Sequence, residues 1–263
     1  MSLLAEIIDR KEREVASWGP EPNNPFSPRP VVPWLTRASG GALHLLTEIK
    51  YKSPSAGELS RALTVSDRAH AYAACGARMI SVLCDEHYFA GAYEHLTDTR
   101  CRIGATFPNV RILAKEFVIS ERQIERAARM GADSILLIAR ITQGVRLHEL
   151  LSHARAHHME PLVEVATQEE LADALTQGAR IVGVNARDLE TLAIDVDRAA
   201  RVLTRIPRDV VGVHLSGLKT AEDVRKVAVS RADAALIGEA LMRLDDPRPL
   251  LLKLCDAACA NDA

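Results

Sequence analysis

The chain has 263 residues, 48% of them apolar and 26% charged, with a formal net charge of -2. That length buries a sizeable core and suits a single α/β barrel, and the near-neutral balance gives no footing for nucleic acid or an anionic membrane as a partner. No apolar run approaches the roughly 18 residues of a membrane span, and Met1 to Glu14 is a charged amphipathic pattern without a signal-peptide core, so the cytoplasm is the expected location.

Leu3, Leu4, Ile7 and Ile8 recur at helical spacing among charges, which predicts a helix over residues 2 to 16 with one buried face. Six of the twelve prolines follow between Pro20 and Pro33, too dense for a helix or a central strand. Residues 1–42 therefore read as a helix and a Pro-rich connector, ahead of a barrel over 43–263 in one domain. From residue 43 short apolar runs alternate with helical patterns, and 43–50, 78–84, 111–115, 134–139, 161–165, 180–185, 209–214 and 234–238 read as eight strands. Ser120-x-x-Gln123 and Thr167-x-x-Glu170 have the form of capping boxes, and Thr220-x-x-Asp223 is a near relative. Helices are expected to stop at Gly76, Gly131 and Gly178, each followed by Ala and then a strand, with a fourth echo in Arg231-Ala-Asp233. Strands apolar almost throughout argue for parallel pairing covered on both sides, hence a (β/α)₈ barrel with an N-terminal extension helix. A doubly wound dinucleotide fold would want a Gly-x-Gly-x-x-Gly turn, which is absent.

A barrel presents its chemistry at the C-terminal ends of its strands. In order, those ends carry Glu48 with Lys50, Lys115-Glu116, Glu164, Asn185 with Arg187, Ser216-Gly217 and Gly238-Glu239. Glu48 and Lys50 lie two apart on a strand and so share a face. Lys50, Lys115 and Arg187 favour an anionic small molecule, and glycine turns after the last two strands offer bare N–H groups where phosphate sits in many barrels. Glu164 and Lys115 are then the expected base and acid. The five cysteines (Cys75, Cys84, Cys101, Cys255, Cys259) are odd in number and scattered, as reduced thiols would be. Cys255 and Cys259 lie one helical turn apart without the further ligands a metal site needs.

With these positions in place the chain resembles the indole-3-glycerol-phosphate synthase family over nearly its whole length. The motifs are Glu48-Ile-Lys50-x-x-Ser53-Pro-Ser-x-Gly57, Lys115-x-Phe117, Leu162-Val-Glu164-Val165, Val184-Asn185-x-Arg187-x-Leu189, Ser216-Gly217 and Leu236-Ile-Gly238-Glu239-Ala240-Leu-Met242. The resemblance implies closure of the indole ring of 1-(2-carboxyphenylamino)-1-deoxyribulose 5-phosphate, with loss of carbon dioxide and water, by a monomer that uses no cofactor or metal. It implies catalytic roles for Lys115, Glu164, Lys50, Glu48 and Asn185. It places Ser53, Phe89, Phe117, Arg187, Leu189, Ser216, Gly217, Gly238 and Glu239 around the substrate. This chain departs from the family pattern at Glu116 (family Asp), Ala186 (family Asn) and Leu215, where the family carries a Glu that orients the strand-one lysine. Two other classes stay open on the residues alone. A barrel lysine could form a Schiff base as in class I aldolases, or the barrel could serve as a non-catalytic phosphate-binding subunit.

Overall fold

The computed structural model describes residues 3–20, 26, 35–188, 191 and 193–259. Most of the Pro-rich connector lies outside the described residues, as does Leu189. Helix α1 (Leu3–Ser17) comes first, and eight barrel strands follow. These are β1 (His44–Ile49), β2 (Met79–Leu83), β3 (Arg111–Lys115), β4 (Ser134–Ile138), β5 (Leu162–Val165), β6 (Ile181–Val184), β7 (Val211–His214) and β8 (Ala234–Ile237). Each pairs in parallel with its successor and β8 closes on β1, so the expected (β/α)₈ barrel forms.

The helices between them are α2 (Val65–Ala74), α3 (Glu86–Phe89), α4 (Glu94–Ile103), α5 (Glu121–Arg129), α6 (Val145–Ala156), α7 (Gln168–Thr176), α8 (Val196–Leu203), α9 (Ala221–Ala228), α10 (Glu239–Met242) and α11 (Arg248–Ala258). The capping boxes of α5 and α9 close reciprocally. At α7 Thr167 accepts from Glu170 N–H, but the Glu170 carboxylate passes the cap residue, accepting instead from Ala166 N–H and Arg140. The guanidinium at 2.9 Å is the stronger partner, and it draws the carboxylate away from a closed box. Gly76, Gly131 and Gly178 sit at φ near +90°, as the helix-ending turns require.

The repeated Ala-Asp phrase has a structural task. Asp133 and Asp233 each accept the N–H of the preceding strand, from Ile112 and Gly212, both at 2.8 Å. Each also binds an arginine, Arg100 or Arg231, which stitches the N-terminal ends of neighbouring strands together.

Alternation divides the core in two. Outward residues pack against the helices, while Leu46, Met79, Leu113, Leu136, Leu162, Ile181, Val213 and Leu236 fill the barrel interior. Leu3, Leu4 and Ile7 of α1 reach over the mouth. That helix is held by a buried cation. Lys11, 1% exposed, meets Asp85 at 2.8 Å, Glu14 at 2.9 Å and Glu116 at 3.1 Å. Burial alone would lower the Lys11 ammonium, but Glu116 and Asp85 outweigh it and raise the group. Burial pushes the Glu116 carboxyl up to about 7, with Lys11 opposing and Asp85 adding to the rise. A folded value above the ordinary 4.5 means that the stabilising contribution of Glu116 is full below about pH 4.5 and is lost as pH rises through about 7. The expected outcome for Glu116→Gln is a melting temperature that gains on the parent's as pH is raised through that window. Paired melting curves across it check this, and a constant difference would overturn the assignment.

Candidate active site

The inward-pointing residues at the strand ends converge on one cavity. Glu48 ends the inward row of β1, and Lys50, one residue past the strand, donates to its Oε1 at 2.5 Å. On β3 the last inward residue is Lys115, whose Nζ lies 3.3 Å from Glu164 Oε2 on β5. The other oxygen of Glu164 accepts the Asn185 amide at 2.8 Å. Asn185 Oδ1 in turn accepts the Ser216 hydroxyl at 2.7 Å and Arg187 N–H at 2.9 Å. One connected network thus runs from Lys115 through Glu164 and Asn185 to the turn after β7, so its members hold each other's orientation. Arg198 of α8 braces it from behind by donating to the Asn185 and Ala186 carbonyls at 2.9 and 3.1 Å.

Glu48 is almost wholly buried. Burial would push its carboxyl up, yet the nearby cations Lys50, Lys115 and Arg187 together hold it below the usual range. It therefore stays ionised, a fixed negative charge between the cations.

The apolar half of the cavity comes from elsewhere. Phe89, at the end of α3, and Phe117, after β3, stand with ring centroids 6.2 Å apart at a 36° tilt, forming one wall. Tyr88 beside them bonds to Glu6 of α1 at 3.2 Å. Leu215 is buried in the floor, and the space it occupies exists because Gly183 on β6 has no side chain, since a Cβ there would collide with Leu215 and Leu162.

The expected site residues, apart from Leu189, are accounted for individually. Ser53, Phe89, Phe117, Arg187, Ser216, Gly217, Gly238 and Glu239 all line the cavity. The Ser53 hydroxyl also accepts from Ala56 N–H, shaping the loop after β1. Gly217 has φ +91°, a turn only glycine makes without strain. The Glu239 carboxylate is occupied by Arg243 at 2.8 Å. Glu116, next to Lys115 in sequence, also lines the cavity, while its carboxylate is bound by Lys11.

Sequence reasoning passed over Lys219 and His214. Lys219 lines the cavity two residues after Gly217; burial pushes the Glu239 carboxyl up, and Arg243, with Lys219 adding to it, holds the group low. Its place in the turn after β7 was a usable signal. Buried His214, which burial keeps neutral, contacts the Ser216 carbonyl at 2.7 Å and steadies that turn. Nothing in the spacing announced it.

The family model described as indole-3-glycerol phosphate synthase matches residues 4–254. The chain belongs to the indole-3-glycerol phosphate synthase family. Among curated members, the enzyme of an Exiguobacterium species is 37% identical over 257 residues, covering 97% of this chain and 98% of that protein. The enzyme of Listeria monocytogenes is 38% identical over 247 residues, covering 94% and 96%. The fold is shared more widely. Thiamine phosphate pyrophosphorylase from Pyrococcus furiosus superposes with a TM-score of 0.63 at 15% identity, over 82% of this chain and 95% of that one. For 3-hexulose-6-phosphate synthase from Salmonella typhimurium the values are 0.64 and 13%, over 82% and 98%. An indole-3-glycerol phosphate synthase is a decarboxylating lyase of tryptophan biosynthesis that acts on a phosphorylated substrate.

Gly238 offers a test of this synthase site. A Cβ at that position runs into the Glu48 carboxylate, so Gly238→Ala must displace Glu48 from Lys50. The expected result is a folded protein whose indole-forming turnover falls by about 10²-fold, the scale of an ångström's misplacement. Parent-like turnover in the variant would show that the Glu48–Lys50 geometry does not matter.

Proposed function

We propose that this chain closes the indole ring of 1-(2-carboxyphenylamino)-1-deoxyribulose 5-phosphate, acting as a single-domain monomer in the cytoplasm, with each step carried by a residue of the network above. The ring carbon bearing the carboxylate attacks the ketone, and Lys115 delivers a proton to the oxygen that becomes a hydroxyl. The carboxylate leaves as carbon dioxide and returns its electron pair to the ring. Departure is favoured where water is displaced, as the Phe89–Phe117 wall would do. In a second acid–base step the hydroxyl leaves as water and a proton is removed, with Glu164 serving that step. Lys50 and Glu48 assist proton transfer and orientation, and Asn185 holds Glu164 and positions the reacting centre. Arg187 binds an anionic group. The Ser216-Gly217 and Gly238-Glu239 turns receive the phosphate through backbone N–H groups, the usual place for phosphate in a barrel.

The observation that carries this reading is the 3.3 Å approach of Lys115 to Glu164 on the cavity floor, with Asn185 fixing the second carboxylate oxygen. An ammonium and a carboxylate within reach of one reacting atom are what sequential protonation and deprotonation need.

Leu215 favours a second reading. Where relatives are expected to carry a carboxylate, this chain presents a buried aliphatic side chain to the cavity, as a paralogue with an altered phosphorylated-sugar substrate would.

Indole fluorescence on incubation with the carboxyphenylamino-deoxyribulose phosphate tests the reaction directly. Lys115→Met is expected to cut turnover by about 10² or more, the usual weight of an acid–base group, while the chain stays folded. Most of the activity surviving would remove Lys115 as the acid. Arg187→Ala is expected to raise KM more than it lowers kcat, because an anion clamp binds ground and transition states alike; an unchanged KM rules the clamp out. Leu215→Glu separates the two readings. A rise in kcat/KM on this substrate marks a missing catalytic part, whereas a folded variant no better at any pH transfers the lead to the altered substrate.

A further inference from the structure

On the flank of the barrel, away from the mouth, three metal-ligating side chains meet. His153 and His157 are four residues apart, in and just after α6, so they occupy one face a turn apart. Helix α5 packs alongside and contributes Glu125. One ligand atom from each of the three lies within 4.8 Å of the other two, and all three residues are half-buried. The rings of His153 and His157 lie with centroids 4.8 Å apart.

The decisive atom is Nε2 of His153. It is buried and has no hydrogen-bond partner. Glu125 Oε1 stands 3.3 Å away, but off the line that a hydrogen bond needs. Two donors on one tetrahedral ion, each about 2.0–2.2 Å from the metal, sit about 3.3 Å apart. The His153–Glu125 separation is thus already that of two ligands sharing an ion, and the third ligand atom lies within 4.8 Å of both.

We propose that Glu125, His153 and His157 form a site for a divalent first-row transition-metal ion of the zinc, nickel and copper class, which clips α5 to α6. Two imidazoles and one carboxylate suit these ions and not magnesium or calcium, which prefer oxygen ligands. Three protein ligands leave a fourth position to water. Ligation needs neutral imidazoles. Glu121, also close to His153, is taken up by Arg146 at 2.5 and 2.9 Å. The helices of a barrel run back from the mouth, so a site at the far end of α6 bears on stability and not on the indole-forming cavity.

The test is calorimetric titration of the full chain, without a polyhistidine tag, with zinc chloride at pH 7.5, beside melting curves and turnover. Saturable 1:1 binding is expected, with a raised melting temperature and unchanged turnover. His153→Ala and His157→Ala should each weaken binding by roughly tenfold or more, since even loss of an outer partner of a metal ligand costs that much. His148→Ala, on the same helix but with its ring at the Gln177 carbonyl, should bind as the parent does. No saturable binding, or binding that survives in the His153→Ala/His157→Ala double variant, overturns the proposal and leaves an ordinary His153–Glu125 ion pair.

Discussion

Closing eight parallel strands on themselves leaves each strand only two kinds of position, and everything else in this protein follows from that alternation. A residue that points inward near the N-terminal end of its strand must be apolar, because neighbours from the other strands exclude water from it. The same row two or four residues later opens onto the mouth, where a charge keeps some hydration and can find a partner. Leu46 and Glu48 on β1, or Leu162 and Glu164 on β5, are successive positions in one such row. Register makes the rows coherent, since Glu164 lies opposite Ile138 on one side and Gly183 on the other. Core and site are consecutive layers of the same packing.

Much of this was legible from the chain because apolar runs and glycine stops are local signals. The eight strands fell within two residues of their expected ends, and the left-handed glycines after α2, α5 and α7 were readable from their Gly-Ala phrases. The Glu48–Lys50 pair was also local, two residues apart on one face. What could not be read is what only closure brings together. Lys11 and Glu116 are 105 residues apart and meet in the interior, so sequence placed Glu116 at the mouth, which it lines, but not beside Lys11. The fit of Leu215 into the space above Gly183 depends on the register between β6 and β7. The Glu170 carboxylate left its expected box because Arg140 arrives from another loop. Each miss is a long-range partner winning over a short-range pattern.

The charge clusters around Lys11 and at the mouth obey different rules. Around Lys11 one ammonium is shared by several carboxylates, and burial, with Asp85 adding to it, leaves Glu116 easy to protonate. At the mouth the balance is reversed, with several cations around Glu48 keeping it ionised. The two clusters meet at consecutive residues, Lys115 lying against Glu164 and Glu116 against Lys11. The anchor of α1 and the cavity lysine are therefore fixed by the same stretch of backbone.

The cations that line the mouth also bear on how a catalytic cycle ends. The substrate of the proposed reaction carries an anion at each end, a benzoate and a phosphate, while the product keeps only the phosphate. Lys50, Lys115 and Arg187 line the cavity together with Lys219, so decarboxylation removes one of the two counter-charges that these groups attract. In the proposed reaction the chemistry would thereby loosen its own grip at the ring end, where Phe89 and Phe117 line the cavity. On that reading, departure from the pocket is coupled to turnover by charge neutralisation.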